Sequence, residues 1–275
     1  MNALFNGAAC NSELASSRGL HYGDGVFRTM LLWQGAVPDL RRQLDVLERD
    51  AARLELLPPP RALLEAEIAS LCAREAAGVI KLILSRRAGG RGYRSEGDEC
   101  DRLLLRLPAP QYPEACWEQG IRCAMSPVSL GDQPLLAGIK HLNRLEQVLA
   151  SRHWPEDAEE LFVCDARGLV VAGTRSNLFR VAEGRLWTSA LERCGIRGMM
   201  RDKILELAEQ LQIPVHFDDP TPDLLRQADE IFVSNSLIGL WPVREFDGTA
   251  LAAPGPLTRR LAMALNHPRL EPIRE

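Results

Sequence analysis

The feature of this sequence that most constrains its fold is a proline-rich segment before its midpoint. Three prolines fall within residues 108–113, and proline fixes φ and donates no backbone hydrogen bond, so regular structure cannot run through them. A chain of 275 residues is also longer than one domain of ordinary size. We therefore predict an N-terminal α/β domain over 1–107, a linker over 108–116 and a C-terminal α/β domain over 117–275.

Apolar periodicity predicts helices and strands in both halves, and hence an α+β fold. A triple proline at 58–60 stops the first helical pattern. The predicted helices cover residues 39–57, 62–77, 141–151, 201–212 and the tail from Pro254. The predicted strands cover residues 79–86, 102–107, 121–127, 160–165, 169–172, 177–181 and 230–243, the last as one strand with a polar interruption.

Charge and composition exclude several classes of protein. Lys plus Arg is 33 and Asp plus Glu is 37, a net charge of −4, so there is no basic excess for nucleic acid. No apolar stretch reaches the ~18 residues of a membrane span, and the start lacks a signal peptide. Seven cysteines occur singly without metal-ligand spacing. We expect a cytoplasmic protein with a small-molecule substrate, no metal site, and neither a nucleic-acid nor a membrane partner.

Lysine is rare, and one lysine stands in a chemically informative place. Only Lys81, Lys140 and Lys203 occur. Lys140, in LAGIKHLNRLEQVLA, follows an apolar turn and precedes an amphipathic pattern. Desolvation there would lower the pKa of the amine and make it nucleophilic, whereas the plainer interpretation is a surface lysine.

Glycine-rich segments supply candidate ligand-binding turns. SRRAGGRGYR projects Arg91 and Tyr93 from a loop, where an arginine binds a carboxylate bidentately or simply faces solvent. GIRGMMRD opens a helix at about Met199, so its N–H groups and helix dipole suit a phosphate, and a second turn presents Ser234 and Ser236. A Schiff-base amine and two phosphate turns together indicate a pyridoxal-phosphate site.

These segments resemble, in order and spacing, the class IV aminotransferase family of fold type IV pyridoxal-phosphate enzymes. KHLNRLEQ and GGRGY are similar to its aminodeoxychorismate lyase branch, and the other motifs are shared with transaminases. The motifs that carry the resemblance are RGLHYGDGVFRT, SRRAGGRGY, LAGIKHLNRLEQVLA, SNLF, GIRGMMRD and ADEIFVSNSLIGLWPV. The resemblance implies a two-domain fold like that of D-amino-acid aminotransferase, with the cofactor between the domains, and a homodimer.

The resemblance also assigns roles to individual residues. Lys140, in the C-terminal domain, becomes the Schiff-base lysine and catalytic residue, and pyridoxal 5'-phosphate the cofactor. The implied cofactor-binding residues are Lys140, Gly198, Met199, Met200, Ser236 and Leu237. The implied substrate-binding residues are Arg91, Tyr93, Asn143 and Arg144.

Two positions depart from the family pattern. Val46 stands where the family has an arginine that binds the cofactor phosphate, although Arg42 and Arg49 lie one turn to either side. Ala172 stands where the family has a glutamate that pairs with the pyridine nitrogen, and Thr174 is predicted on the same strand face. Reduced cofactor affinity and a weaker electron sink are therefore expected.

Three functions remain open on this basis. The first is conversion of 4-amino-4-deoxychorismate to 4-aminobenzoate and pyruvate, a step of folate biosynthesis, through a Lys140 aldimine. The second is transamination of a D- or branched-chain amino acid, which asks more of the electron sink that Ala172 weakens. The third is a divergent relative whose pyridoxal-phosphate binding is weakened or lost, as Val46 and Ala172 suggest.

Overall fold

The computed structural model describes residues 4–5, 8–9, 15–73, 75–89 and 92–270. The chain divides into two compact units. Unit 1 comprises Met1–Ala109 and Ile139–Arg144, and unit 2 comprises Pro110–Gly138 and Leu145–Glu275. No helix among the described residues is long and apolar enough to cross a membrane.

Unit 1 is built on an antiparallel three-stranded sheet. The strands of unit 1 are β1 (Leu4–Phe5), β2 (Ala8–Ala9), β3 (Gly25–Trp33), β4 (Ala77–Arg86) and β5 (Cys100–Leu107). The helices of unit 1 are α1 (Arg18–Tyr22), α2 (Leu40–Arg53) and α3 (Arg61–Cys72). The main sheet has the order β3–β4–β5, and β1 pairs with β2. Alternate residues of β3, such as Val26 and Met30, meet Leu44 and Leu47 of α2 in one apolar core.

Unit 2 contains a larger mixed sheet. Its strands are β6 (Ile121–Leu130), β7 (Glu160–Asp165), β8 (Val170–Gly173), β9 (Asn177–Ala182), β10 (Arg185–Thr188), β11 (Val215–Phe217), β12 (Glu230–Asn235), β13 (Gly239–Phe246) and β14 (Thr249–Ala250). Its helices are α4 (Ala115–Glu118), α5 (Leu145–Ala150), α6 (Met199–Gln210), α7 (Pro222–Arg226) and α8 (Pro256–Ala264). Because β8 also pairs with β9, the strands β9–β12–β13–β6–β7–β8 close into a ring.

The lysine segment differs from its prediction. A helix is predicted over 141–151 within the C-terminal domain, but α5 begins at Leu145 and residues 139–144 belong to unit 1. The reason is a backbone pairing with β3: His141 bridges Val26, and the N–H of Leu142 donates to the carbonyl of Gly25. An extended segment at a sheet edge replaces the first helical turn.

The segment predicted as one strand over 230–243 is a hairpin. The Asn235 side-chain oxygen accepts hydrogen bonds from the N–H groups of Leu237 and Ile238, at 2.8 and 3.1 Å, which fixes a turn after β12. Gly239 then adopts a φ of 70°, a conformation suited to glycine. The polar interruption in the sequence is this turn.

The other predicted elements form with shifted ends. The helices predicted over 39–57 and 62–77 end earlier, at Arg53 and Cys72, and β4 already begins at Ala77. Glu55 has a φ of 54°, so the chain leaves the helical conformation before the prolines.

Candidate active site

The main chain of Lys140 is held on two sides within unit 1. Its carbonyl oxygen accepts a 3.0 Å hydrogen bond from the N–H of Phe27. Its own N–H donates to Oδ2 of Asp50 on α2, at 3.0 Å. Strand and helix therefore fix the point from which the lysine side chain starts.

The amine of Lys140 lies over an aromatic ring that it shares with a second lysine. Lys140 Nζ is 4.6 Å from the centre of the Phe27 ring, and Lys81 Nζ is 5.2 Å from the same centre. Lys81 is opposite Thr29 in the β3–β4 register, which places it on the face of the sheet that Phe27 occupies. Two of the three lysines of this chain thus meet at one ring.

Burial and neighbouring charges alter the protonation of this amine. Desolvation is the largest cause lowering the pKa of Lys140, which falls from 10.5 to about 7. The charged neighbours that contribute further are Arg28, Arg144 and Lys81, which lower the pKa, and Asp50, which raises it. A substantial fraction of the amine is therefore neutral near pH 7, as a nucleophile or a general base requires.

The residues after Lys140 support its surroundings. The Asn143 side-chain amide donates to the carbonyl of Gly23 at 3.2 Å, and a Cβ at Gly23 would lie 2.5 Å from the Asn143 oxygen. Arg144 hydrogen-bonds to Nε2 of His141. Burial, followed by the charge of Arg144, lowers the pKa of His141 to about 4, so this ring is neutral near pH 7. Arg144 is then the cation of the pair.

The glycine-rich loop of unit 1 is anchored where it is described. Arg91 lies outside the described residues. Arg18 donates to the carbonyls of Gly92 and Tyr93, at 3.0 and 2.9 Å, and is itself paired with Asp24 at 2.8 Å. Tyr93 is 88% exposed, and the centre of its ring lies 5.4 Å from that of Tyr22.

In unit 2, the predicted phosphate turn is the start of α6. Gly198 is the N-cap and carries no side-chain cap, so the N–H groups of the first turn, including Met199 and Met200, have no intrahelical acceptors. Asn177 holds the turn: its oxygen accepts from the Gly198 N–H at 3.2 Å, and its amide donates to Ile196 at 2.7 Å. A Cβ on Gly198 would lie 2.4 Å from the Asn177 oxygen, so this approach requires glycine.

The same turn is tied to the chain that leads to Lys140. The N–H of Gly138 donates to the carbonyl of Gly195 at 3.0 Å, and the carbonyl of Gly138 accepts from the N–H of Arg197 at 2.9 Å. Gly138 ends this part of unit 2, two residues before Lys140. Two main-chain hydrogen bonds therefore hold the phosphate turn to Gly138 within unit 2.

The second predicted turn lies at the end of β12, in register with Asn177. Ser234 of β12 pairs with Asn177 of β9, the residue that holds the first turn. The N–H of Leu237 donates to Asn235. Of the two residues predicted to bind the phosphate at this turn, Ser236 and Leu237, Ser236 is therefore the better candidate donor. Ser234 is 1% exposed, and its hydroxyl has no hydrogen-bond partner among the described residues.

The two departures from the family pattern have different surroundings. Val46 is buried on α2, and an arginine reaches its carbonyl from another element, since Arg28 of β3 lies 3.4 Å away. Ala172 is 5% exposed in an apolar cluster of unit 2. Thr174 follows the end of β8, and its hydroxyl donates to Glu160 at 2.6 Å.

The sequence prediction missed three residues that shape these sites. They are Arg28, Asp50 and Asn177. Two sequence signals point to the first two residues. Arg28 is a charge within an apolar strand, and Asp50 is an acid on the inner face of α2, beside Leu47 and Ala51. Asn177 lies within SNLF, a motif of the family resemblance that assigns no role to its asparagine.

The residues present fit pyridoxal phosphate at two of three points. The amine of Lys140 is partly neutral and fixed by its main chain. The uncapped start of α6 and the unpartnered Ser234 hydroxyl suit an anionic group. At the third point, Ala172 offers no anion to a pyridine nitrogen.

Comparisons with known proteins define the class of this chain. A family model described as amino-transferase class IV matches residues 25–246. The chain therefore belongs to the class IV amino-transferase family, whose members are pyridoxal-phosphate-dependent enzymes, and the predicted fold type IV architecture is confirmed.

Individual relatives narrow the comparison. The crystal structure of a 4-amino-4-deoxychorismate lyase from Pseudomonas aeruginosa is 42% identical, with a TM-score of 0.84, over 91% of this chain and 93% of that chain. An aminodeoxychorismate lyase from Vibrio harveyi is 33% identical, over 90% of this chain and 94% of the relative. A putative branched-chain-amino-acid aminotransferase from Methanocaldococcus jannaschii is 30% identical, over 88% of this chain and 86% of the relative. The predicted resemblance to the lyase branch is confirmed.

Proposed function

We propose that this chain is an aminodeoxychorismate lyase, which converts 4-amino-4-deoxychorismate to 4-aminobenzoate and pyruvate. The observation that carries the proposal is the place of Lys140: a partly neutral amine, over the Phe27 ring, with its main chain fixed by β3 and Asp50. The similarity to two lyases, over 91% and 90% of this chain, supports this activity.

The cofactor of the proposal is pyridoxal 5'-phosphate. When bound, it supplies an aldehyde that captures amines and a ring that accepts electrons from an adjacent carbon. Lys140 is the residue that would hold it covalently. The residues proposed for its phosphate are Gly198, Met199, Met200, Ser236 and Leu237, with the Leu237 N–H already engaged by Asn235.

The substrate of the proposal carries two carboxylates, which require cations. Lys81 is a candidate because its ammonium shares the Phe27 ring with Lys140. Arg91 is a second, because its loop is anchored by Arg18 at the two residues that follow it. Tyr93, Asn143 and Arg144 complete the proposed substrate-binding set, Arg144 as a further cation.

The proposed role of Lys140 in the reaction is proton transfer. Its neutral Nζ, once free of the cofactor, would take the proton from ring carbon C4 of the substrate. The ether bond at C3 then breaks and the ring becomes aromatic, which supplies the driving force. The released enolpyruvate gains a proton at its methylene carbon and becomes pyruvate, so atoms and charge balance.

A transaminase activity is the second candidate, and the relative from Methanocaldococcus jannaschii is the observation that favours it. Transamination must hold a carbanion long enough to protonate it elsewhere, whereas the lyase reaction discharges it by expelling a leaving group. Ala172 therefore favours the lyase. A divergent relative with weakened or lost cofactor binding is the third reading, because Val46 and Ala172 both remove charged contacts.

The assay that tests the proposal compares these reactions directly. The purified chain with added pyridoxal phosphate should form 4-aminobenzoate and pyruvate in equal amounts from 4-amino-4-deoxychorismate. It should form much less keto acid from D-alanine or leucine with an amino acceptor. Efficient transamination without 4-aminobenzoate formation would replace the lyase by the second candidate.

The setting of the enzyme is also part of the proposal. We place it in the cytoplasm, in folate biosynthesis, as a homodimer that acts on a small molecule and binds neither nucleic acid nor membrane. Sedimentation equilibrium tests the dimer, which should show twice the 30.5 kDa mass of the chain.

A further inference from the structure

A buried ion pair joins β3 to α2 next to the main chain of Lys140. Arg28 is 3% exposed and Asp50 is 1% exposed, and the two side chains form a salt bridge. Their neighbours on the facing surfaces are apolar and fully buried, as Met30 on β3 and Leu47 on α2 show. Two opposite charges thus occupy one point of an otherwise apolar layer.

Stability alone does not account for such a pair. The cost of desolvating two charges offsets much of their attraction, and well-packed apolar side chains often do as well. The pair has one contact that apolar residues could not replace. Asp50 Oδ2 accepts from Arg28 Nη2 and also from the N–H of Lys140, the latter at 3.0 Å.

We propose that Asp50, held in place by Arg28, is a positioning residue for Lys140. Its carboxylate takes the N–H of the lysine while Phe27 takes the carbonyl, so the lysine side chain starts from one fixed point beside the Phe27 ring. The inference rests on the proposed function in one respect, namely that Lys140 is the reacting amine.

The geometry also gives the pair an electrostatic role of predictable sign. Arg28 lowers the pKa of the Lys140 amine, and Asp50 raises it. The other charged or titratable groups near this amine are Lys81 on β4, Arg144 and His141 after the lysine, and Arg49, which lies 3.3 Å from Asp50.

Competitive labelling measures this effect without any assay of turnover. The full-length chain is freed of bound aldehyde with hydroxylamine, then methylated with formaldehyde and cyanoborohydride over a range of pH. Because the chain has only three lysines, peptide mapping gives the rate at Lys140 with Lys203 as an internal reference. The pH dependence of that rate gives the pKa of the Lys140 amine.

The variants should move that pKa in opposite directions. Asp50→Asn, which keeps an acceptor but loses the charge, should lower the pKa by about one unit, and Arg28→Met should raise it by a similar amount. The double variant should return near the wild-type value. Asp45→Asn is the matched control, since Asp45 is an exposed acid of the same helix that pairs with Arg61, and it should cause no shift.

The main-chain contact is tested in a background without the buried arginine. Arg28→Met with Asp50→Asn keeps an acceptor for the Lys140 N–H, whereas Arg28→Met with Asp50→Ala removes it. The second combination should fix pyridoxal phosphate on Lys140 by borohydride reduction about tenfold more slowly. These two combinations leave no unpaired buried charge, so they decide the question if a single variant fails to fold.

Two results would overturn the inference. One is a pKa of Lys140 that moves in the same direction in both single variants, or no more than in Asp45→Asn. The other is equal fixation rates in the two double combinations. Failure of the premise that Lys140 is the reacting amine looks different, because wild-type Lys140 would then not be fixed by borohydride at all.

Discussion

The surroundings of Lys140 in unit 1 and of Ala172 in unit 2 differ in how they treat charge. Lys140 has Arg28, Asp50 and Arg144 among its charged neighbours. Ala172 lies with Val163, Leu191 and other apolar residues in a cluster of unit 2. Charged neighbours therefore surround the Lys140 amine, whereas no anion stands at position 172. The proposed function accordingly relies on the amine of Lys140 and not on a strong electron sink.

Removal of the amine should have the largest effect. Lys140→Ala should lower kcat for 4-aminobenzoate formation at least ~1,000-fold, because the covalent contact and the proposed base disappear together. Steady-state kinetics with saturating pyridoxal phosphate measure this. Lys203→Ala, whose amine bonds to the carbonyl of Asn266, is the control and should keep wild-type kcat. Activity of Lys140→Ala within tenfold of the wild type would remove the lysine from the mechanism.

Removal of the proposed substrate cations should have the next largest effect. Lys81→Met and Arg91→Ala should each raise KM for the dicarboxylate substrate about 10- to 100-fold, since each removes one charge-assisted contact. The affinity for pyridoxal phosphate should change much less. Arg106→Ala, which loses a surface pair with Glu75, is the control. An equal loss of cofactor and substrate binding would contradict the assignment.

A carboxylate introduced at position 172 tests whether this position faces the pyridine nitrogen. Ala172→Glu should destabilise the cofactor-free protein by about 1–3 kcal/mol, because the carboxylate enters an apolar cluster. Saturating pyridoxal phosphate should offset this loss if the side chain meets the pyridine nitrogen. Thermal unfolding with and without the cofactor measures both effects. Ala172→Gln is the neutral control, and equal cofactor-dependent stabilisation of both variants would place the nitrogen elsewhere.

The pH dependence of Lys140 should be the smallest of these effects. An ordinary lysine is almost wholly protonated at pH 8, whereas a pKa of about 7 leaves roughly nine tenths of the Lys140 amine neutral. The rate of pyridoxal-phosphate capture should therefore rise from pH 6 and level off above pH 8. Stopped-flow absorbance gives this profile. A rate that still rises tenfold per unit at pH 9 would show an unperturbed amine.

Much of the fold was accessible from the sequence because local patterns determine it. The apolar periodicity around Leu44 and Leu47, and the β-branched run in β4, predict their elements, and only the ends differ. The lysine segment was mispredicted because its partner, β3, lies more than a hundred residues earlier. A long-range backbone pairing there overrides a local helical pattern.

The candidate site was predictable only as far as its motifs extend. Lys140 and Gly198 stand in recognisable motifs, and the helix expected after Gly198 forms, whereas the roles assigned to both residues stay predictions. Arg28 and Asp50 were not foreseen, because their meaning arises from a contact between a strand and a helix. A pair of this kind can be recognised only when the contact between the strand and the helix is known.

The most direct test of the account is the identity of the lysine that reacts with the cofactor. The wild-type chain is titrated with pyridoxal phosphate, reduced with borohydride and mapped by mass spectrometry. We expect one saturable label on Lys140, with Lys81 and Lys203 unlabelled. A label on either of those lysines instead, or no saturable label at all, would contradict it.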